Sequence, residues 1–217
     1  MSIAENFVRS SIGRKILMAV SGVMLFGFVV GHLVGNLLVY RGPEALNGYA
    51  ATLQHLGGLL WVVRLALLTA VLVHIWAAAS LTLTSRKARP EGYRKPVYQE
   101  ATYASRTMRW GGILIFLFIG YHILHFTLGT VHPAFTTDVY RNVIAGFQVV
   151  PVSLFYIVAM VALGFHLYHG LWSMLQTVGL SHPRFNGARK IFAVLFTLFI
   201  VIGNISIPVA VLTGLVR

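Results

Sequence analysis

Five long apolar stretches, roughly residues 16–40, 59–85, 110–130, 152–178 and 191–216, take up most of this 217-residue chain. A helix needs about 20 apolar residues to cross the hydrocarbon core of a bilayer, and each stretch reaches that length. Only 10% of the residues are charged against 57% hydrophobic, where a soluble domain carries about 25% charged residues. The sequence therefore predicts an all-α integral membrane protein: one domain over residues 1–217 with five transmembrane helices forming a bundle. Pro43, Pro90, Pro96, Pro133 and Pro183 punctuate the connections, Pro151 suits the first turn of the fourth helix, and Pro208 interrupts the fifth. The first apolar run is too long for a signal h-region and has no clear cleavage site, so it is expected to be retained.

Charge sets the expected orientation. A formal charge of +12 would suggest nucleic acid in a soluble chain. Here the basic residues cluster between the spans, as the positive-inside rule requires, and no nucleic-acid partner is expected. Arg9, Arg14, Lys15, Arg86, Lys87, Arg89, Arg94, Lys95, Arg106, Arg109, Arg184, Arg189 and Lys190 fall on one side, 13 of the 17 Lys and Arg residues; Arg41, Arg64, Arg141 and Arg217 fall on the other. This split predicts a cytoplasmic N-terminus. In the first external connection, Leu46, Tyr49, Ala50 and Leu53 recur at helical spacing before Gly57-Gly58, which predicts a short amphipathic helix over 43–55. The basic, tyrosine-rich segment 86–109 is a candidate docking loop or a plain anchoring one.

Ionisable residues inside a span default to a functional reading. His32, His74, His122 and His166 sit one apiece in the first four stretches. At 1.5 Å of rise per residue, His32 and His122 lie ~6 Å and ~3 Å outward of mid-span, and His74 and His166 lie ~3 Å and ~1.5 Å inward. They sort into an outer pair and an inner pair. Two opposed imidazoles in a helical bundle suit the axial positions of haem, so the bundle is expected to enclose two stacked haems. His125 and His169 each follow a candidate by three residues and share its helix face, so depth leaves them as runners-up. Gly27, Gly31 and Gly35 line one face of the first helix, either as a helix contact or as room for a porphyrin. The chain has no cysteine, which removes disulfides, Cys-ligated iron–sulfur clusters and covalent c-type haem.

Several runs carry a resemblance: Ser10-Ser11-Ile12-Gly13-Arg14-Lys15, Gly31-His32-Leu33-Val34-Gly35-Asn36, Val73-His74-Ile75, Gly120-Tyr121-His122-Ile123-Leu124-His125-Phe126, and Phe165-His166-Leu167-Tyr168-His169-Gly170-Leu171-Trp172-Ser173. In this order, one per helix, they resemble the single-chain, five-helix, di-haem cytochrome b membrane subunit of succinate dehydrogenase and fumarate reductase. The resemblance implies haem b ligands on the first four helices, first paired with third and second with fourth. It favours His166, just before the Gly-Leu-Trp run, and His122, about a dozen residues after Arg109.

The resemblance further implies an FAD-containing flavoprotein and an iron–sulfur subunit on the cytoplasmic face of a bacterial cytoplasmic (inner) membrane. The chain's part is then to anchor a succinate:quinone oxidoreductase and to pass electrons to menaquinone or ubiquinone. Haem propionates need cationic neighbours; Arg14, Lys15, Arg106 and Arg109 are candidates for the inner haem and Arg64 for the outer. Asn36, Tyr49, Gln54 and His55 are the polar candidates for an outer quinone site, with Glu44 the one acid in that connection. The rival readings are the cytochrome b subunit of a hydrogenase or formate dehydrogenase and, in another class, a cofactor-free transporter or assembly anchor.

Overall fold

The computed structural model describes residues 2–88, 91 and 102–217. Most of the tyrosine-rich connection, including Arg89, Arg94 and Lys95, lies outside them. The described elements are α1 (Ile3–Arg9), α2 (Ser11–Asn36) continued by a 3-10 turn (Leu37–Arg41), α3 (Pro43–His55), α4 (Gly58–Ala88), α5 (Tyr103–His122) continued by a π-helical turn (Ile123–Thr127), α6 (Val139–Gln148), α7 (Val150–Thr177) and α8 (Pro183–Leu212). No strand occurs among the described residues.

Five described helical stretches are long and apolar enough to cross a membrane: Ser11–Arg41, Gly58–Ala88, Tyr103–Thr127, Val150–Thr177 and Pro183–Leu212. Three of them begin well before the apolar windows at 16, 110 and 191. Arg14, Lys15, Arg106, Arg109, Arg189 and Lys190 sit on helix rather than in loops; long basic side chains can ride a helix and still reach the interface, whereas Arg189 is buried against Trp172. At the other end the third stretch stops at Thr127, ahead of Gly129 with φ +72°. Pro208 lies inside α8, which continues to Leu212.

Packing follows membrane logic. Leu59, Trp61, Val62, Leu65 and Leu68 on α4 are exposed, as are Leu195, Leu198 and Ile202 on α8, apolar faces suited to lipid. Small residues make the helix contacts, with Ala19, Ala70, Ala77, Ala159 and Ala193 all buried, because close backbone approach is the main source of attraction between helices in lipid. α2 runs along α4, and α7 lies between α5 and α8.

Short helices lie at both ends of the bundle. At the end carrying the N-terminus, Ser2 and Glu5 form a capping box for α1, and the Ser10 hydroxyl accepts the Gly13 N–H at 2.9 Å to start α2. A Cβ at residue 13 would run into the Phe7 carbonyl, so the tight α1–α2 corner requires glycine there. The Arg14 guanidinium closes the same corner. Its Nε donates to Val8 O at 3.1 Å, Nη2 to Arg9 O at 2.8 Å and Nη1 to Thr84 Oγ1 at 3.0 Å.

At the opposite end α3, expected from the sequence, meets α6, which was not. Asp138 accepts the Arg141 N–H at 3.0 Å as N-cap of α6 and the Asn47 amide at 2.9 Å; the Asn47 carbonyl oxygen accepts the Tyr140 N–H. The Arg141 N–H, and after it the Asn47 amide, hold the Asp138 carboxyl below its ordinary pKa. The signal for α6 is present in the sequence: an Asp cap followed by Val139, Val143, Ile144 and Phe147 at helical spacing.

Candidate cofactor-binding site

The four intramembrane histidines meet in two pairs. His32 on α2 and His122 on α5 bring their ring centroids to 5.7 Å, with the ring planes at 88°. His74 on α4 and His166 on α7 bring theirs to 6.1 Å at 58°. His74 touches α2 at Ser21, and along that helix Ser21 and His32 are separated by ~16 Å of rise. His122 touches α7 at Tyr156, and Tyr156 and His166 are ~15 Å apart on that helix. The pairs therefore occupy two levels, His74 with His166 toward the N-terminal end and His32 with His122 toward the α3–α6 end.

The centroid spacing of each pair suits a metal held between two imidazoles. First-row metal–nitrogen bonds of about 2 Å put such ring centroids about 6 Å apart. Among the described residues no group of three or more His, Asp or Glu gathers, so the donor sets are pairs, as axial ligation of a macrocycle requires.

The hydrogen bonds around His74 support the same reading. Its Nδ1 lies 3.2 Å from Met18 O and 3.2 Å from Ser21 Oγ. A carbonyl only accepts, so Nδ1 is the protonated nitrogen and the Nε2 lone pair is left for a ligand. The Ser21 hydroxyl donates to Leu17 O at 2.7 Å. A metal-ligating histidine ordinarily carries this kind of backbone contact on its other nitrogen. On the facing ring, His166 Nδ1 is buried with no hydrogen-bond partner, a condition uncommon enough in folded proteins to need a reason. A cavity of about 210 Å³ opens beside His166, lined by Tyr103, Thr107, Met108, Gly111 and Phe165.

The glycine stripe on α2 divides. A Cβ at Gly35 would lie 2.8 Å from Tyr49 Cζ and Oη, so this position is a helix contact with α3. A Cβ at Gly27 or Gly31 meets nothing within 4 Å. Both are exposed, and Gly31, next in sequence to His32, leaves room for a flat group there.

The runners-up have other surroundings. His125 is fully buried, its ring stacked 4.9 Å from that of His132, and a Cβ at Gly146 would lie 3.1 Å from its Nε2. The backbone of α6 thus covers the nitrogen. His169 is half-buried, one turn past His166. Tyr156, which sequence reasoning passed over, places its hydroxyl 3.3 Å from His122 Nδ1 and 3.0 Å from His125 Nδ1. Phe118, Tyr121, Phe126, Phe147 and Phe155 surround it.

The cationic candidates scatter. Arg14 braces the α1–α2 corner; Lys15, Arg106 and Arg109 are exposed near the N-terminal end; Arg64 lies 5.0 Å from the Trp61 ring centroid. Of the polar candidates at the other end, Asn36 and Tyr49 gather at the end of α2, one turn beyond His32, whereas Gln54 and His55 are exposed at the far end of α3.

Neither a curated protein nor a solved structure matches the chain. A family model does, that of the succinate dehydrogenase/fumarate reductase transmembrane subunit, over residues 85–204. That interval is more than half of the chain and holds α5, α6, α7 and most of α8. With five helices suited to crossing a membrane and the histidine pairs between them, the chain is a multi-pass membrane protein and belongs to the succinate dehydrogenase/fumarate reductase transmembrane subunit family.

Proposed function

We propose that the chain holds two b haems, His32 and His122 ligating the outer one and His74 and His166 the inner one. It would thereby carry electrons between an iron–sulfur subunit and membrane quinone in a succinate:quinone oxidoreductase. The observation that carries this reading is the meeting of four helices' histidines as two ring pairs at two levels. Family membership favours this complex over a hydrogenase or formate dehydrogenase cytochrome.

Bound haem supplies one-electron redox chemistry, with its potential tuned by axial ligands, burial and nearby charge. Held by two histidines each, the haems would serve electron transfer. The chain's residues supply the rest. Nδ1 of His74, donating to Met18 O, holds the ring still and raises the basicity of Nε2. The aromatic cluster around Tyr156 keeps water from the outer pair. Lys15, Arg106, Arg109 and Arg64 are the remaining cationic candidates for propionates. Quinone reduction takes two electrons and two protons, and Tyr49 Oη and Asn36, beside the outer pair, are the groups best placed to bond its carbonyls.

The basic residues at the N-terminal end orient that end to the cytoplasm of a bacterial inner membrane. There the flavoprotein, with its FAD, and the iron–sulfur partner dock. In this reading succinate chemistry belongs to those partners.

The test is a reduced-minus-oxidised visible spectrum of the purified complex, with haem quantified per chain. Two b haems per chain and a co-purifying flavoprotein are expected. A colourless, folded preparation overturns the reading in favour of a cofactor-free anchor or transporter.

A further inference from the structure

We infer that Tyr156 is a positioning residue that selects His122 over His125 as the outer ligand, its hydroxyl accepting the His122 Nδ1–H while donating to His125 Nδ1. This inference rests on the haem reading above. Its basis is proton counting in a closed site. Tyr156 is buried, and the hydrogen-bond partners its hydroxyl has are two imidazole nitrogens on one helix, 3.3 Å and 3.0 Å away. One hydroxyl proton can serve only one of them. The other nitrogen must bring its own.

A neutral imidazole that gives Nε2 to a metal keeps its single proton on Nδ1. With His122 so committed, Nδ1–H needs an acceptor, and Tyr156 Oη is the one in reach. The hydroxyl proton then turns to His125 Nδ1, which leaves the His125 proton on Nε2. That nitrogen is covered by α6 at Gly146 and has no hydrogen-bond partner. His132 cannot take the proton. Its Nε2 donates to Asn142 O at 2.8 Å and its Nδ1 accepts the Ala134 N–H at 3.0 Å. Proton-bearing and walled in, His125 Nε2 is closed to a metal, while His122, whose ring lies 5.7 Å from that of His32, keeps the Nε2 lone pair free. The π-helical turn that begins at Ile123 follows directly after His122, as such turns often do beside functional residues.

The experiment is a redox titration of Tyr156→Phe in the intact complex, repeated in a His74→Ala background that retains only the outer haem. Phenylalanine keeps the packing and removes the acceptor. A hydrogen bond on the far nitrogen raises ligand basicity and favours ferric iron, so its loss raises the outer potential. A shift of at least tenfold in the ferric–ferrous balance is expected, 59 mV for a one-electron couple, with the inner haem unmoved. His125→Phe should keep both haems. Unchanged potentials in Tyr156→Phe, equal shifts of both haems, or loss of the outer haem in His125→Phe overturns the inference. Absence of haem from the unsubstituted protein defeats the haem reading instead.

Discussion

His74 Nδ1 lies 3.2 Å from the backbone carbonyl of Met18, a contact that ties α4 to α2 and fixes which nitrogen of the ring is free. The carbonyl survives any side-chain substitution at residue 18, so the sensitive element is the imidazole itself. Replacing His32, His74, His122 or His166 singly by Ala should cost one haem per chain, that of the affected pair. His125→Ala and His169→Ala should retain two. Pyridine haemochrome quantification of each purified variant decides it, and loss of haem from either of the last two would reassign the ligand.

Much of this arrangement was legible in the sequence, for a physical reason. Rise per residue is nearly constant in a helix, so the depth of His32, His74, His122 and His166 within their runs anticipated which rings would meet. Depth says nothing of azimuth between helices, so it left His122 and His125 level, and only the resemblance favoured His122; the structure puts Gly146 against His125 and His32 beside His122. Tyr156 was invisible for the same reason. In the run Leu154-Phe155-Tyr156-Ile157 it reads as one more apolar aromatic, and only tertiary packing brings its hydroxyl to two imidazoles more than 30 residues away in the chain. The short helices α1 and α6 were missed because attention to long apolar runs passes over brief amphipathic ones, although Ser2 and Asp138 announce both as caps.

The divided glycine stripe makes a contrast. Gly35→Ala drives a methyl into the Tyr49 ring, and overpacking of this kind costs about 1–3 kcal/mol; it should lower the thermal transition and loosen α3. Gly31→Leu meets no protein atom at its Cβ and should leave the transition of haem-free protein nearly unchanged. It should nonetheless displace the outer haem. The two variants together, scored by melting and by haem content, separate a helix contact from a cofactor face.

Asp138 gives the α3–α6 clamp a pH dependence of known sign. The Arg141 N–H and the Asn47 amide lower its folded pKa, against about 3.9 for an unperturbed carboxyl. The clamp's stabilisation is thus complete above about pH 4 and is lost as pH falls through the lowered folded value. Between pH 5 and 8 this group should contribute no slope. Asp138→Asn should flatten the acid limb, and Asp138→Ala should cost about 1 kcal/mol through the lost cap at all pH values above it. Thermal transitions measured from pH 3 to 8 test both.

Arg14 separates bracing from cofactor binding. Three of its N–H groups already hold Val8 O, Arg9 O and Thr84 Oγ1, two of them carbonyls at the C-terminal end of α1, where a cation also opposes the helix dipole. Arg14→Ala should therefore release α1 from the bundle at a cost of about 1 kcal/mol and expose the first ten residues to protease, with both haems kept. Arg14→Lys should restore little, because one ammonium cannot span three divergent acceptors as a guanidinium does. Limited proteolysis with haem quantification on the same samples distinguishes the roles: loss of the inner haem with α1 still protected would return Arg14 to the propionate, whereas cleavage with full haem content makes it the pin of the α1–α2 corner.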